Sequence, residues 1–488
     1  MTDRLPVQFL MADLSNGVIQ GVKYLLAPPN SVVHAMNVTF DENYGEATTR
    51  QGTTLIGNQV VAEDNTINGL YQFIDSASGP NSRLISAVNV AGDASQALFY
   101  LDAGNVWQST LTGDTAGLRT RFETFLDRVV RVNGTDAVAS WDGNVATAWL
   151  TTGGPLDLAN FPRGTFVKVY KDQVCTAGIS SRPDDLDVSS VVNTAGTAIS
   201  WTSANRRIRI NPEDNSNITG LGEIGSLLII FKRFAMYRWT NRGTEADTVV
   251  DVGCSSHESI ANGRKLLFFF NERGIWQTDG GYPIRISRPV QTWIDNMDAT
   301  YYGNVAGFCD NQNYYCSIGN VTLPNGNTYN NVVLRYTLDT KEWTVFSYAH
   351  QYRVFSPYVS ASAVNFVGGD TTARVLQMNS GFTDNGTAIN YEVESHDIDF
   401  SSKGMLKEIS ERIMAYGLNP VDVVIQVQIE GEDWITLGAM NKEIEEFLIN
   451  ERIKGHYMRF RVIGTHSTVR FRFQGLELPT VTLLGYAA

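Results

Sequence analysis

The chain has 488 residues, 43% hydrophobic and 18% charged, enough apolar mass for a large core and too much for a disordered protein. Lys and Arg number 38 against 51 Asp and Glu, a formal charge of −13. That balance argues against a dedicated nucleic-acid binder, which needs a basic stripe to displace counterions from phosphates.

DNA passing close by is a different matter, because a neutral or acidic wall holds the polymer least. At roughly 100–200 residues per domain the length fits about two to four domains, or one long propeller with additions. Abundant Gly (43) and 11% aromatics suit many short strands joined by tight turns. Four cysteines, Cys175, Cys254, Cys309 and Cys316, form no C-x-x-C pair and read as buried thiols. Residues 1–21 lack a basic stretch followed by an apolar one, so no secretory signal is expected. The longest apolar runs, such as Leu227 to Phe231, fall far short of the ~20 residues of a membrane span. No membrane span and synthesis in the cytoplasm are therefore expected.

In chain order, residues 1–60 read as an irregular arm, with Val33 to Val38 either a short strand or one helical turn, ending in a strand at Thr53 to Ile56. From Asn68 to about Asn385 a hairpin recurs: an apolar strand, a short polar turn, then a strand carrying Trp or Tyr. Examples are Ala97 to Tyr100 before Val106-Trp107, Leu227 to Phe231 before Phe234 to Trp239, and Leu266 to Phe270 before Ile275-Trp276. Phe166 to Tyr170 turns through Lys171-Asp172 into Gln173 to Ala177. Arg128 to Val132 turns through Asn133-Gly134, which as a tight hairpin turn would need positive φ at both residues. Such a hairpin cannot bury its strands alone and needs neighbours of the same kind, which is the logic of a β-propeller. Starts about 30–60 residues apart bracket one four-stranded blade. The expected fold is all-β: a six- or seven-bladed propeller over 61–385, with a loop insertion at about 180–222. Over 386–488 the aromatic hairpins give way to period-2 strands at Asp422 to Ile429, Tyr457 to Ile463 and Val469 to Phe473, expected as a C-terminal β-sandwich. Leu406, Ile409 and Ile413 have helical spacing inside strand-like surroundings and stay ambiguous.

Catalytic signals are sparse. Ser140-Trp141-Asp142-Gly143 and Thr278-Asp279-Gly280-Gly281 look superficially like sialidase Asp boxes, but lack that box's spacer and read as turns with Asp accepting backbone N–H groups. Asp184, Asp185 and Asp187 are the densest acidic cluster on an expected loop; a calcium site is the sharp reading and a solvated turn the default. No H-E-x-x-H, G-x-S-x-G, Walker A or G-x-G-x-x-G is present. The expectation is no catalytic residue, no metal and no cofactor. The basic spots are Arg206, Arg207 and Arg209, then Arg459 and Arg461 with Arg470 and Arg472. Alternation places the last four on one sheet face, either solvated or docking an acidic partner or neighbouring subunit through bidentate forks.

Several segments then occur in order. They are Asn37 to Gly52, with its mid-segment Gly45 and final Arg50-x-Gly52; Val132 to Asp136 leading to Ser140 to Gly143; and Asn211 to Asp214, followed by Ile218-Thr219-Gly220 and Leu227 to Lys232. Ser259 to Gly263 runs on to Gly274-Ile275-Trp276 and Pro283 to Ser287, and Phe382 to Ile389 closes the series. Together they resemble the β-propeller tail proteins of short-tailed bacteriophages, the nozzle or hub proteins also called packaged-DNA stabilisation proteins. The resemblance implies a virion tail protein, made in the host cytoplasm, that forms a homohexamer below the portal and head-to-tail adaptor ring. It would continue the DNA conduit without specific binding, retain packaged DNA until ejection, and meet tail fibres, tailspikes or a needle. It transfers no active-site residues. A receptor- or glycan-binding tail protein and, less favoured, a propeller glycosidase are the alternatives.

Overall fold

The computed structural model describes residues 6–22, 26–28, 30–43, 45–62, 65–76, 82–90, 94–201, 206–214, 216–241, 246–360, 363–400, 404–449 and 452–486. Among them the chain is all-β apart from one short α-helix, Gln291–Asp295, and single 3-10 turns.

Six sheets are blades in their own right. Blade 1 runs Ile67–Phe73, Arg83–Val90, Ser95–Leu101, Trp107–Asp114; blade 2 runs Arg121–Phe125, Arg128–Val132, Ala139–Trp141. Blade 3 is Phe166–Tyr170, Gln173–Ile179, Arg182–Val188, Arg206–Arg209, and blade 4 is Ile218–Ile224, Leu227–Lys232, Met236–Trp239, Asp247–Val250. Blade 5 is Ala261–Gly263, Leu266–Asn271, Gly274–Thr278, Ile284–Arg285. Blade 7 is Tyr352–Ser360, Ala363–Asp370, Val375–Gln377, with Thr54–Leu55 from the start of the chain as its outer strand. The remaining place, blade 6, is filled by Ala306–Cys309, Asn313–Thr322, Thr328–Thr337 and Trp343–Ser347, the first four strands of a nine-stranded sheet. Inner strands touch in sequence around the ring, and Tyr352–Ser360 closes it against Ile67–Phe73.

The propeller's apolar cores lie between blades. Phe73, Ile85 and Leu98 of blade 1 meet Val129 and Trp141 of blade 2; Phe231 of blade 4 meets Phe269 of blade 5 with ring centroids 4.8 Å apart. This explains the continuous apolar runs. A blade is covered on both faces, so Leu267, Phe268, Phe269 and Phe270 are all fully buried rather than alternately exposed. Each such side chain contributes about 1.5–3 kcal/mol by leaving water.

Turn chemistry differs in detail from expectation. Leu126-Asp127, Lys171-Asp172 and Arg264-Lys265 are two-residue loops with positive φ at both positions. At Asn133-Gly134 only Gly134 is left-handed (φ 83°), and Asn133 Oδ1 instead accepts the N–H groups of Thr135 and Asp136. The side chain closes a longer loop there, so no tight hairpin turn forms.

The sandwich pairs the outer half of the nine-stranded sheet with an eight-stranded sheet. The first contributes Val32–Met36, Ile389–Ser395, Met458–His466, Val423–Ile429 and Ile435–Met440. The second holds Pro6–Met11, Val38–Thr39, Ala47–Thr49, Met405–Ile409, Arg412–Leu418, Ile444–Leu448, Ile453–Gly455 and Arg472–Tyr486. Alternate residues such as Val423, Ile425 and Val427, and Met458, Phe460 and Val462, fill one core with Ile409, Ile413 and Phe473. The ambiguous segment around Leu406 and Ile413 is thus two strands.

Two expectations need correction. The described residues of 1–60 hold five strands woven into both sandwich sheets and blade 7, not an irregular arm, and Val33 to Val38 falls on the strand side at Val32–Met36. Val38–Thr39 pairs locally with Ala47–Thr49, but the other partners lie hundreds of residues away, so local pattern did not reveal them. Residues 180–222 are not a loop insertion: Arg182–Val188 and Arg206–Arg209 are the outer strands of blade 3, and Ile218–Ile224 opens blade 4. Pro183 and three Asp imitate a turn, while Leu186, Val188, Ile208 and Ile210 are fully buried.

Candidate functional site

The acidic and basic clusters of blade 3 prove to be one feature. Asp185 stands opposite Arg209 and Asp187 opposite Arg207 in adjacent strands. Arg182 pairs with Asp187 at 2.6 Å, Arg209 with Asp184 at 3.3 Å, and Arg207 with Asp185. Burial raises the Asp187 pKa, Arg182 pulls it back and Asp185 adds to the rise. The side chain of Arg206 lies outside the described residues. Among the described residues no group of three His, Cys, Asp or Glu is arranged to hold a metal. Arg207 and Arg209 remain more than half exposed, on the outermost strand of their blade.

The four C-terminal arginines do not share a face. Arg459 and Arg461 belong to the nine-stranded sheet, whereas Arg472 belongs to the eight-stranded one and Arg470 precedes it. The sequence alternation is real, but a change of sheet falls between the two pairs. Each is engaged within the chain: Arg459 with Glu394 and Asp397, Arg461 with Glu392 and the ring of Trp434, Arg470 with Glu42, Arg472 with Glu46.

The segments Asn37 to Gly52 and Phe382 to Ile389, 334 residues apart at their closest bond, meet in one buried joint. Arg50 Nη1 and Nη2 donate to the two carboxylate oxygens of Asp384 at 2.8 and 2.7 Å, with side chains 2% and 4% exposed. Arg50 Nε donates to Asn37 Oδ1 at 2.8 Å, Nη2 also donates to the Ser347 carbonyl, and the guanidinium stacks 3.9 Å from the Tyr348 ring. Burial opposes the Arg50 charge, but Asp384 more than offsets it and the pKa ends above its ordinary value. Asn37 Nδ2 donates to the Asn390 carbonyl at 2.6 Å. Gly52 passes so close that a Cβ there would stand 2.0 Å from the Thr383 carbonyl oxygen. Propeller, sandwich and N-terminal strands are therefore pinned at one point. Beside it opens a cleft of about 690 Å³ between the Thr328–Thr337 hairpin and the sandwich, lined by Tyr329, Asn330, Asn390, Asp422 and Thr465 among others.

The propeller axis carries a second cluster, which the sequence reading missed. Arg121 opens the inner strand of blade 2, and Glu258 sits in the 3-10 turn before blade 5; their ion pair, 2.9 Å, reaches across the ring. Arg121 also covers the Phe166 ring at 4.6 Å, and Phe166 packs on His257. Burial, then Arg121, drives the His257 pKa down to about 3, so the imidazole is neutral. These residues come one or two per blade, each at or just before an inner strand. Aligning the repeats on their inner strands would have revealed the common position.

The expected turns are present: Asp142 Oδ1 accepts the Asn144 N–H at 3.0 Å and Asp279 Oδ1 the Gly281 N–H at 2.9 Å. All four cysteines are buried and none is in a disulfide. No helix among the described residues is long and apolar enough to cross a membrane.

No protein-family model matches the chain, and no curated protein does. Solved structures that are similar include the AfRom2 CNH domain (11% identity, covering 67% of this chain and 99% of that one, TM-score 0.41). BamB from Moraxella catarrhalis matches at 11% identity over 71% of this chain and 96% of its own, with a TM-score of 0.38. The WD40 propeller domain of Doa1 matches at 13% identity over 67% and 96%, also at 0.38.

Proposed function

We propose that this chain is a non-enzymatic, ring-forming structural protein of a short-tailed phage tail. It acts as a nozzle or hub below the portal and adaptor that continues the DNA conduit and retains packaged DNA. The observation that carries the reading is the joint: the first and last of the segments that resemble nozzle proteins converge on Arg50 and Asp384. A joint of this kind makes propeller and sandwich one stiff wall, as retention of packaged DNA demands. The conduit in this reading runs between subunits, because the propeller's own axis is bridged by Arg121 and Glu258. Six copies at −13 carry about −78, and acidic walls lower friction on DNA. The exposed Arg207 and Arg209 edge supplies one half of a heterologous contact that closes a ring. Negative-stain images of the purified protein, alone and with its adaptor complex, should show six-fold rings. A strictly monomeric protein that never joins the adaptor refutes the proposal.

The cleft beside the joint favours one second reading, a glycan-binding tail protein. Its aromatic, amide and carboxylate lining suits a neutral polyhydroxylated ligand. Saturable binding to host polysaccharide, lost in Tyr329→Ala, would select it over the nozzle.

A further inference from the structure

The axial mouth that Arg121 and Glu258 bridge holds more positive charge than the protein balances. Arg119 and Arg353 both point at Asn304. Arg119 Nη2 donates to Asn304 Oδ1 at 3.5 Å and Arg353 Nη2 donates to the same oxygen at 2.5 Å. Arg119 Nη1 also donates to the Arg353 backbone carbonyl at 3.1 Å. The three residues come from the entry to blade 2, the segment before blade 6, and the inner strand of blade 7, so the ring itself brings them together. Neither Arg119 nor Arg353 has a carboxylate within ion-pair distance among the described residues. The nearby Glu258 is taken by Arg121, Lys168 is paired with Glu123, and His257 is neutral. Three guanidiniums thus share one carboxylate.

Two like charges drawn onto one amide oxygen are costly unless something offsets them. Besides Asn304, Arg353 has the face of Tyr301, 5.7 Å away, and burial together with Arg119 pulls the Arg353 pKa down to about 10. Arg353 Nε is buried without an acceptor, and a guanidinium carries five N–H donors in a fork shaped for tetrahedral or planar oxyanions. Both side chains are half-buried, so neither is sealed from solvent.

We propose that Arg119 and Arg353, held by Asn304, form a binding site for a small oxyanion of the phosphate class at the axial mouth of the propeller. The bound ion balances the paired arginines and ties blade 7 to the entry of blade 2. This site stands whether or not the chain assembles into rings.

The test is calorimetric titration of the purified full chain with inorganic phosphate at constant ionic strength, chloride being the reference ion, alongside thermal melts in the same buffers. The wild type should bind with saturation at one site per chain and melt higher in phosphate. Arg353→Gln and Arg119→Gln should each weaken phosphate at least tenfold and lose the thermal shift, yet melt no lower than wild type in chloride, since each removes a like-charge contact. Arg353→Lys keeps the charge without the fork and should fall between. Arg412→Gln, a surface control in the sandwich whose side chain is 48% exposed, should change nothing. A response to phosphate that does not saturate, or that survives in Arg353→Gln and Arg119→Gln, overturns the proposal. If both glutamine variants melt well below wild type in chloride, the arginines are structural ties and the proposal also fails.

Discussion

Replacing Asp384 by Asn keeps the shape of the joint and removes its negative charge. Arg50, 2% exposed, is then left charged in the interior with neutral acceptors only. Breaking a buried pair from one side costs about 3–5 kcal/mol, whereas replacing both partners by apolar residues of similar volume is often neutral. With an unfolding entropy of about 2.1 cal/mol/K per residue, a 488-residue chain that melts as one unit changes by roughly 1 kcal/mol per degree. The expected Tm drop for Asp384→Asn is therefore about 3–5 °C, with a matching change in the guanidinium midpoint. Arg50→Met with Asp384→Leu should recover most of it, giving a coupling energy of several kcal/mol in a double-mutant cycle. Differential scanning calorimetry with tryptophan fluorescence reads both. A loss below about 1 kcal/mol in Asp384→Asn would refute the view that this pair fastens the N-terminal strands to the propeller.

Glu342 is 2% exposed, and burial followed by the neighbouring Asp41 raises its pKa to about 7. The folded state holds a proton there that the unfolded state releases, so stability is full below about pH 4.5 and falls as pH rises towards 7. Glu342→Gln should flatten that slope and gain up to about 3 kcal/mol at pH 8 and little at pH 4.5, as read by urea titrations. His34 and His466 are held neutral, each lowered to about 4, mainly by burial. Their stabilisation is present above pH 6.5 and lost as pH falls through 4, up to about 3 kcal/mol each, and His466→Gln should blunt the loss in an acid titration. Gly52→Ala places a Cβ 2.0 Å from a backbone oxygen and should destabilise by more than about 2 kcal/mol, while Gly281→Ala, whose nearest contact is the side chain of Asp279, should cost much less by the same melt.

Much of the propeller was legible because its signal is local: an apolar strand, a turn and an aromatic return strand, repeated. The runs at Leu227 and Leu266 became second strands of blades 4 and 5. What escaped was non-local. Thr53 to Ile56 reads as a strand and Thr54–Leu55 is one, but its place as the outer strand of blade 7 exists only beside Leu376 and Gln377. Asp184, Asp185 and Asp187 read as a solvated loop because Arg207 and Arg209, which pair with Asp185 and Asp184, lie 22 and 25 residues later in sequence. Arg459 and Arg470 looked like one face because sequence alternation does not record a change of sheet. Arg119, Arg121 and Arg353 carried no local motif at all; only ring closure makes them neighbours.

The closure of blade 7 by Thr54–Leu55 also sets an order of events during synthesis. The N-terminal strands leave the ribosome first, yet the partners of Arg50, Thr49 and Gln8 lie 334, 421 and 469 residues downstream. At about 5–20 residues per second, Arg50 waits roughly 20–70 s for Asp384 to be made. Blades 1 to 6 can stack meanwhile, since each inner strand needs only its neighbour. The first sixty residues then act as a clasp that fastens last, so a truncated nascent chain presents an open ring with an unpaired edge.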